Sequence, residues 1–199
     1  TGIARPMGIE FGPDGDLYIV DNQGWSNEPS LVRKGRILRV RMDGDRIVYC
    51  KTVAYNMEHP NGIRIWKDKL YVTNSLQELI KDPSGKLVSV VNYFGLDEEN
   101  VEMTNTLADK DHIFDVLVTE NPDDQYGVDG IAFDKDGNLY VGNFGDGTIF
   151  KYTLNEDGSM KTKELFAKDP KNLRCTDGMI FDDKGNLYVA DFVVNAIAK

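Results

Sequence analysis

Three oxygen-bearing side chains in this sequence share one local setting: Asn61 in HPNGI, Asp129 in GVDGI and Asp177 in CTDGM each directly precede a glycine that opens an apolar run. A fourth copy, RPMGI, carries Met7 at the same place. Carboxylates and an amide carbonyl aimed at one small volume repel one another or go unsatisfied unless something positive binds them. A hard divalent cation suits these donors, because Ca2+ takes about six to eight oxygens from Asp, Glu, Asn, backbone and water. Mg2+ is the other cation of that kind. Metals that prefer nitrogen or sulfur fit badly in a chain with two His and two Cys. The competing reading is structural, since Asn and Asp before Gly also satisfy backbone amides at turns and strand entrances without any metal.

The elements that must position these residues are written in a repeat. Glycines 8, 62, 130 and 178 each start a short run such as Gly-Ile-x-Phe, followed by a turn and a second run such as Leu-Tyr-Val. Asp14-Gly15, Asp136-Gly137 and Lys184-Gly185 supply the positive φ that a short hairpin needs. Further strand-like runs follow each hairpin, at 35–40, 46–55, 86–94, 148–154 and 162–167. Four strands roughly every 50 residues, with almost no helical periodicity, predict an all-β chain of four-stranded β-propeller blades. The sequence holds about three and a half of them. An open arc would expose two apolar faces, so residues 1–199 read as one propeller domain with further blades expected before Thr1 and after Lys199.

Blade geometry then predicts which residues meet. The first strand of a blade is innermost, so the connection arriving from the previous blade, the start of strand one and the turn between strands two and three share one face. Met7, Asn61, Asp129 and Asp177 therefore converge at one mouth of the channel. DNQGWSNEPS (21–30) is such a turn, which brings Trp25 and Asn27 to that mouth as candidate pocket residues. His59, two residues before Asn61, is a candidate for pocket contact and proton transfer. The acidic stretch 95–125 is a blade-connecting insertion and a possible lid over the site. Within it, HIFDVLV reads as an outer strand.

Composition narrows the partners. Twenty-three Lys and Arg stand against 33 Asp and Glu, a net charge of −10, with no basic cluster to follow phosphates. Nucleic acid is excluded as an expected partner. So is a membrane, because no apolar run approaches the roughly 18 residues of a span. Cys50 and Cys175 are too few for a disulfide framework and read as buried free thiols. The opening TGIARPMG shows no charged-then-apolar leader, so any targeting segment is expected to be removed or upstream, and the compartment (cytoplasmic, periplasmic or secreted) stays open. Other catalytic signatures are missing: there is no Gly-x-Ser-x-Gly elbow and no His-Glu-x-x-His helix. DKDGN opens like a calcium-binding EF-hand loop, but Gly145 stands where that loop requires Glu.

HPNGI with KLYVTNS, followed by VDGIAFDKDGNLYVGNFGDGTIFKY, resembles two successive blades of the gluconolactonase/regucalcin superfamily, six-bladed propellers that include lactonases and diisopropylfluorophosphatase. GIEFGPDGDLYIVDNQGWSNEPS and GRILRV are similar to the blade before that family's Asn-Gly motif. The resemblance covers most of the chain, leaving 95–125 unmatched. It implies Asn61 as a calcium ligand, and Asp129 as both ligand and acid/base or nucleophile. It also implies a glutamate ligand from a blade not present here. Met7 stands where several relatives carry a polar residue, and a register shifted by one blade would make Asp129 and Asp177 the ligand pair. The implied activity is calcium-dependent hydrolysis of a small-molecule lactone or ester. The alternative is a non-catalytic propeller that binds a ligand or protein at the same mouth.

Overall fold

The computed structural model describes residues 2–23 and 29–199. Trp25 and Asn27 lie outside the described residues. The chain is built from antiparallel sheets arranged as successive propeller blades. In the first, β1 (Pro6–Phe11), β2 (Leu17–Asp21), β3 (Gly35–Asp43) and β4 (Arg46–Met57) pair in sequence order. The second starts with β5 (Pro60–Trp66), β6 (Lys69–Asn74) and β7 (Leu87–Gly95). The two-residue strand β8 (Val101–Glu102) then pairs in parallel with β4 of the first blade. β9 (Ile113–Thr119) completes the second blade against β7, as the outer-strand reading of HIFDVLV expects. The third blade is β10 (Val128–Phe133), β11 (Leu139–Asn143), β12 (Thr148–Leu154) and β13 (Met160–Lys168). A last sheet holds β14 (Met179–Phe181), β15 (Leu187–Asp191) and β16 (Ala196–Ala198).

Alternation along these strands puts apolar side chains on both faces, and the core lies between blades, not inside any one of them. Tyr18, Val20, Ile37, Ile63 and Leu70 fill the seam between the first and second blades. Tyr71, Val91, Phe114, Ile131 and Tyr152 fill the next, and Ala132, Tyr140, Ile149 and Met179 the last. At the ends of the arc, Phe11 is 68% exposed on β1 and Ile180 is 62% exposed on β14.

The hairpin turns are built as their residues suggest, with Gly15, Gly137 and Gly185 at φ +78°, +82° and +82°. The carboxylate of the EF-hand-like DKDGN is consumed by its own turn. Asp134 accepts the backbone N–H groups of Asp136 and Asn138, the Asn138 side-chain amide and the Tyr140 hydroxyl. Asp182 repeats the arrangement one blade later with Lys184, Asn186 and Tyr188.

Cys175 is buried, as expected, but Cys50 is exposed. Cys50 lies on the outermost long strand of its blade, in the stretch 46–51 where every residue is exposed or half-buried.

Candidate functional site

Two devices fix the residues before the repeated glycines. The first is a β-bulge. Pairing of β1 with β2 slips between Pro6 and Ile9, of β5 with β6 between Pro60 and Ile63, and of β10 with β11 between Val128 and Ile131. Met7-Gly8, Asn61-Gly62 and Asp129-Gly130 therefore occupy the same irregular step of three inner strands, and a bulge of this kind re-aims the side chain it carries. The second is close backbone approach. A Cβ on Gly62 would stand 2.7 Å from the Asp129 carbonyl oxygen, and one on Gly130 would stand 2.1 Å from that of Asp177. Each glycine thus lets its inner strand lie against the donor-bearing residue of the next blade.

The second strand of every blade ends in a buried Asp or Asn that grips the incoming connection. Asp21 accepts the N–H groups of Ala4 and Arg5, and Asn74 accepts that of His59. Asn143 bonds the Thr119 hydroxyl and the Val118 carbonyl, and Asp191 accepts the N–H of Arg174. This capping role belongs to YIVDN, YVTNS, YVGNF and YVADF, a signal legible in the repeat that sequence reasoning passed over. Asp129 has no such duty, for among the described residues no backbone N–H is donated to its side chain.

Met7, Asn61, Asp129 and Asp177 stand together as a layer between two cavities. Below them, a space of about 370 Å3 along the inner strands is also lined by Gly62, Arg64, Gly130 and Met179. Above them, a space of about 360 Å3 at the mouth is walled by Asp124, Tyr126, Phe144 and Phe192. Arg64 is occupied, donating to the carbonyls of Ile63 and Met179 and lying 3.6 Å from Glu10. Among the described residues, no three Asp, Glu, His or Cys converge in a metal-type cluster; the layer offers two carboxylates and one amide.

Asp129 is 7% exposed. Burial pushes its carboxyl up to about 8, the charge of Asp177 adds to the rise, and the Asn61 amide partly offsets both. Without a cation it is thus largely protonated at neutral pH. The Asn61 amide nitrogen donates to the Tyr126 hydroxyl at 3.1 Å, which leaves its carbonyl oxygen as the end available to a cation. This donor set, all oxygen with one carboxyl held back from ionising, fits a hard divalent ion.

His59 is 2% exposed and lines neither cavity. Its Nε2 lies 2.8 Å from the Tyr126 hydroxyl, and burial pushes the imidazole down to about 4, so it is neutral at physiological pH. It contacts Tyr126, a wall residue that the repeat does not reveal because it precedes the repeated segment. Of the 95–125 stretch, Asp124 lines the mouth.

No protein-family model and no curated protein sequence matches the chain. Solved structures do. A gluconolactonase from Xanthomonas campestris superposes with a TM-score of 0.56 at 18% identity, over 94% of this chain and 56% of that one. The luciferin-regenerating enzyme does so with 0.57 at 15% identity, over 97% and 71%. A chain of a nidogen–laminin complex gives 0.57 at 18%, over 94% and 56%. The likeness is one of fold, and that fold is the β-propeller. The chain spans little more than half the length of the gluconolactonase it resembles. Two of these neighbours are of the kind whose blade motifs the sequence resembles.

Proposed function

We propose that this chain carries the reactive half of a metal-dependent hydrolase of the gluconolactonase type, which opens a lactone or small ester at the channel mouth. The observation that carries the reading is Asp129: a nearly fully buried carboxyl, free of any capping role, faces Asp177 and Asn61 at the junction of two cavities. Asn61, Asp129 and Asp177 would hold the cation, Ca2+ or Mg2+. When bound, it supplies Lewis-acid polarisation of the carbonyl or a more acidic water. Asp129 would also take or deliver the proton, the part that general acid–base chemistry gives a carboxylate beside the reacting carbonyl. Tyr126 fixes the Asn61 amide, and His59, neutral and buried, fixes Tyr126. Further blades close the ring, a reading supported by the exposed apolar faces at both ends of the arc.

Calcium titration of the metal-stripped, full-length protein tests this. Wild type is expected to bind, and Asp129→Ala to lose both binding and lactone hydrolysis, the latter by about a thousandfold or more, as for loss of a group acting in the transition state. Absence of binding by folded wild type would leave the non-catalytic scaffold as the better reading.

A further inference from the structure

The mouth cavity has a chemistry of its own. The residue after the buried cap of each second strand is Asn22, Ser75, Phe144 and Phe192 in blade order, so the polar side chains of the first two blades give way to aromatic rings in the last two. Tyr126, Phe144 and Phe192 form a continuous rail, with ring centroids 5.1 Å apart for the first pair and 6.3 Å for the second. Met7 continues the apolar surface across the cavity. The polar residues of the lining are Asn61, Asp124, Asp129 and Asp177. No Lys or Arg lines this cavity among the described residues.

Phe192 is 69% exposed yet held in place. Its N–H and that of Val193 are donated to the buried Cys175 sulfur at 3.0 and 3.4 Å, and Val194 N–H is donated to Asp191. The Phe192 ring lies beside that of Phe144 on the cavity wall, where it adds apolar area for a ligand group to meet.

We infer that the mouth selects an uncharged substrate with an aryl or comparably bulky apolar group beside its lactone or ester, and disfavours polyhydroxylated and phosphorylated ones. This rests on the hydrolase reading for the position of the reacting carbonyl, but the selectivity comes from the wall. Hydroxyls laid along the Tyr126–Phe144–Phe192 rail would lose water without gaining partners. A phosphate laid along the rail would meet Asp124 and no Lys or Arg, and its charge would be answered only by the cation that Asn61, Asp129 and Asp177 already share.

The test is calorimetry of the calcium-loaded, full-length protein with three hydrolysis-resistant lactams: benzo-fused, polyhydroxylated, and polyhydroxylated with a phosphate. The benzo-fused probe is expected to bind at least about tenfold more tightly than the others. Phe192→Ala and Phe144→Ala should each weaken it by about five- to tenfold, the scale of losing one aromatic contact, while leaving the other two unchanged. Phe192 is exposed enough for its variant to fold normally. Tighter binding of either polyhydroxylated probe, or benzo-fused binding indifferent to both substitutions, overturns the inference. Selective benzo-fused binding without turnover of the matching lactone would uphold it while removing the hydrolase reading.

Discussion

Asp129→Asn is expected to make the metal-stripped protein more stable at pH 8, by several kcal/mol, while removing its affinity for calcium. Burial lifts this carboxyl from 3.8 to about 8, with Asp177 adding to the effect. A group whose pKa is higher in the folded state contributes stability that is fully present below its unfolded value and is lost as pH rises to the folded one. For Asp129 that window runs from about 4 to about 8, at about 1.4 kcal/mol per unit. His59 acts with the opposite sign. Its folded value is lowered by burial from 6.5 to about 4, so its contribution is present above 6.5 and lost as pH falls toward 4. Of these two groups, only Asp129 still titrates between pH 6.5 and 8. Denaturant unfolding in chelator at pH 5, 6.5 and 8 should show wild type weakening toward pH 8 and Asp129→Asn staying level across that upper window. A gain of equal size at pH 5 and pH 8 would show that burial does not hold the proton on Asp129. Stability traded for a charge that only a cation relieves is a common mark of functional sites.

Gly130→Ala is expected to destabilise the protein by about 3 kcal/mol or more, at the upper end of overpacking costs, because the added methyl meets backbone and not a movable side chain. Its Cβ would stand 2.1 Å from the Asp177 carbonyl oxygen and 2.7 Å from Met179 Cγ. The inner strands must part, and Asp177 must move away from Asp129. A drop in midpoint denaturant concentration and weakened calcium binding should appear together; an unchanged midpoint would disprove the close approach. Gly178 supplies the comparison. Among the described residues nothing lies within 4 Å of a Cβ placed there, so Gly178→Ala should be nearly neutral unless a further blade packs against it.

The fold was legible because a blade is a local object: Gly-Ile-x-Phe, a turn and Leu-Tyr-Val lie within 20 residues, and their alternation names both faces. Convergence of Met7, Asn61, Asp129 and Asp177 followed from the strand order, since strands of one blade start and end on known faces. What stayed hidden depends on long-range contacts. The β8–β4 pairing brings Val101 to Ala54 and Glu102 to Tyr55, across a parallel register that no local pattern announces. The contact of the buried His59 with Tyr126 spans 67 residues. The caps Asp21, Asn74, Asn143 and Asp191 were visible as a column of the repeat, but their partners arrive from the previous connection. Exposure of Cys50 reflects the outer position of β4, which composition does not report.

The segment around β8 ties two neighbours together at their rims. After leaving the second blade it runs back along the first: Asn100 and Met103 donate backbone N–H groups to Thr52 and Tyr55 of β4, and Asn105 bridges Asn56 and Glu58. Met103 is buried in the seam between the two blades. The seam between the second and third blades is joined differently, by side chains: Tyr152 donates to Asp115, Tyr71 to the Gly158 carbonyl, and Asp146 accepts the N–H groups of Glu120 and Asn121. That seam separates Asn61 from Asp129. A cation shared by those two residues would add a clamp across that seam, so that opening of the seam and release of the metal become one event.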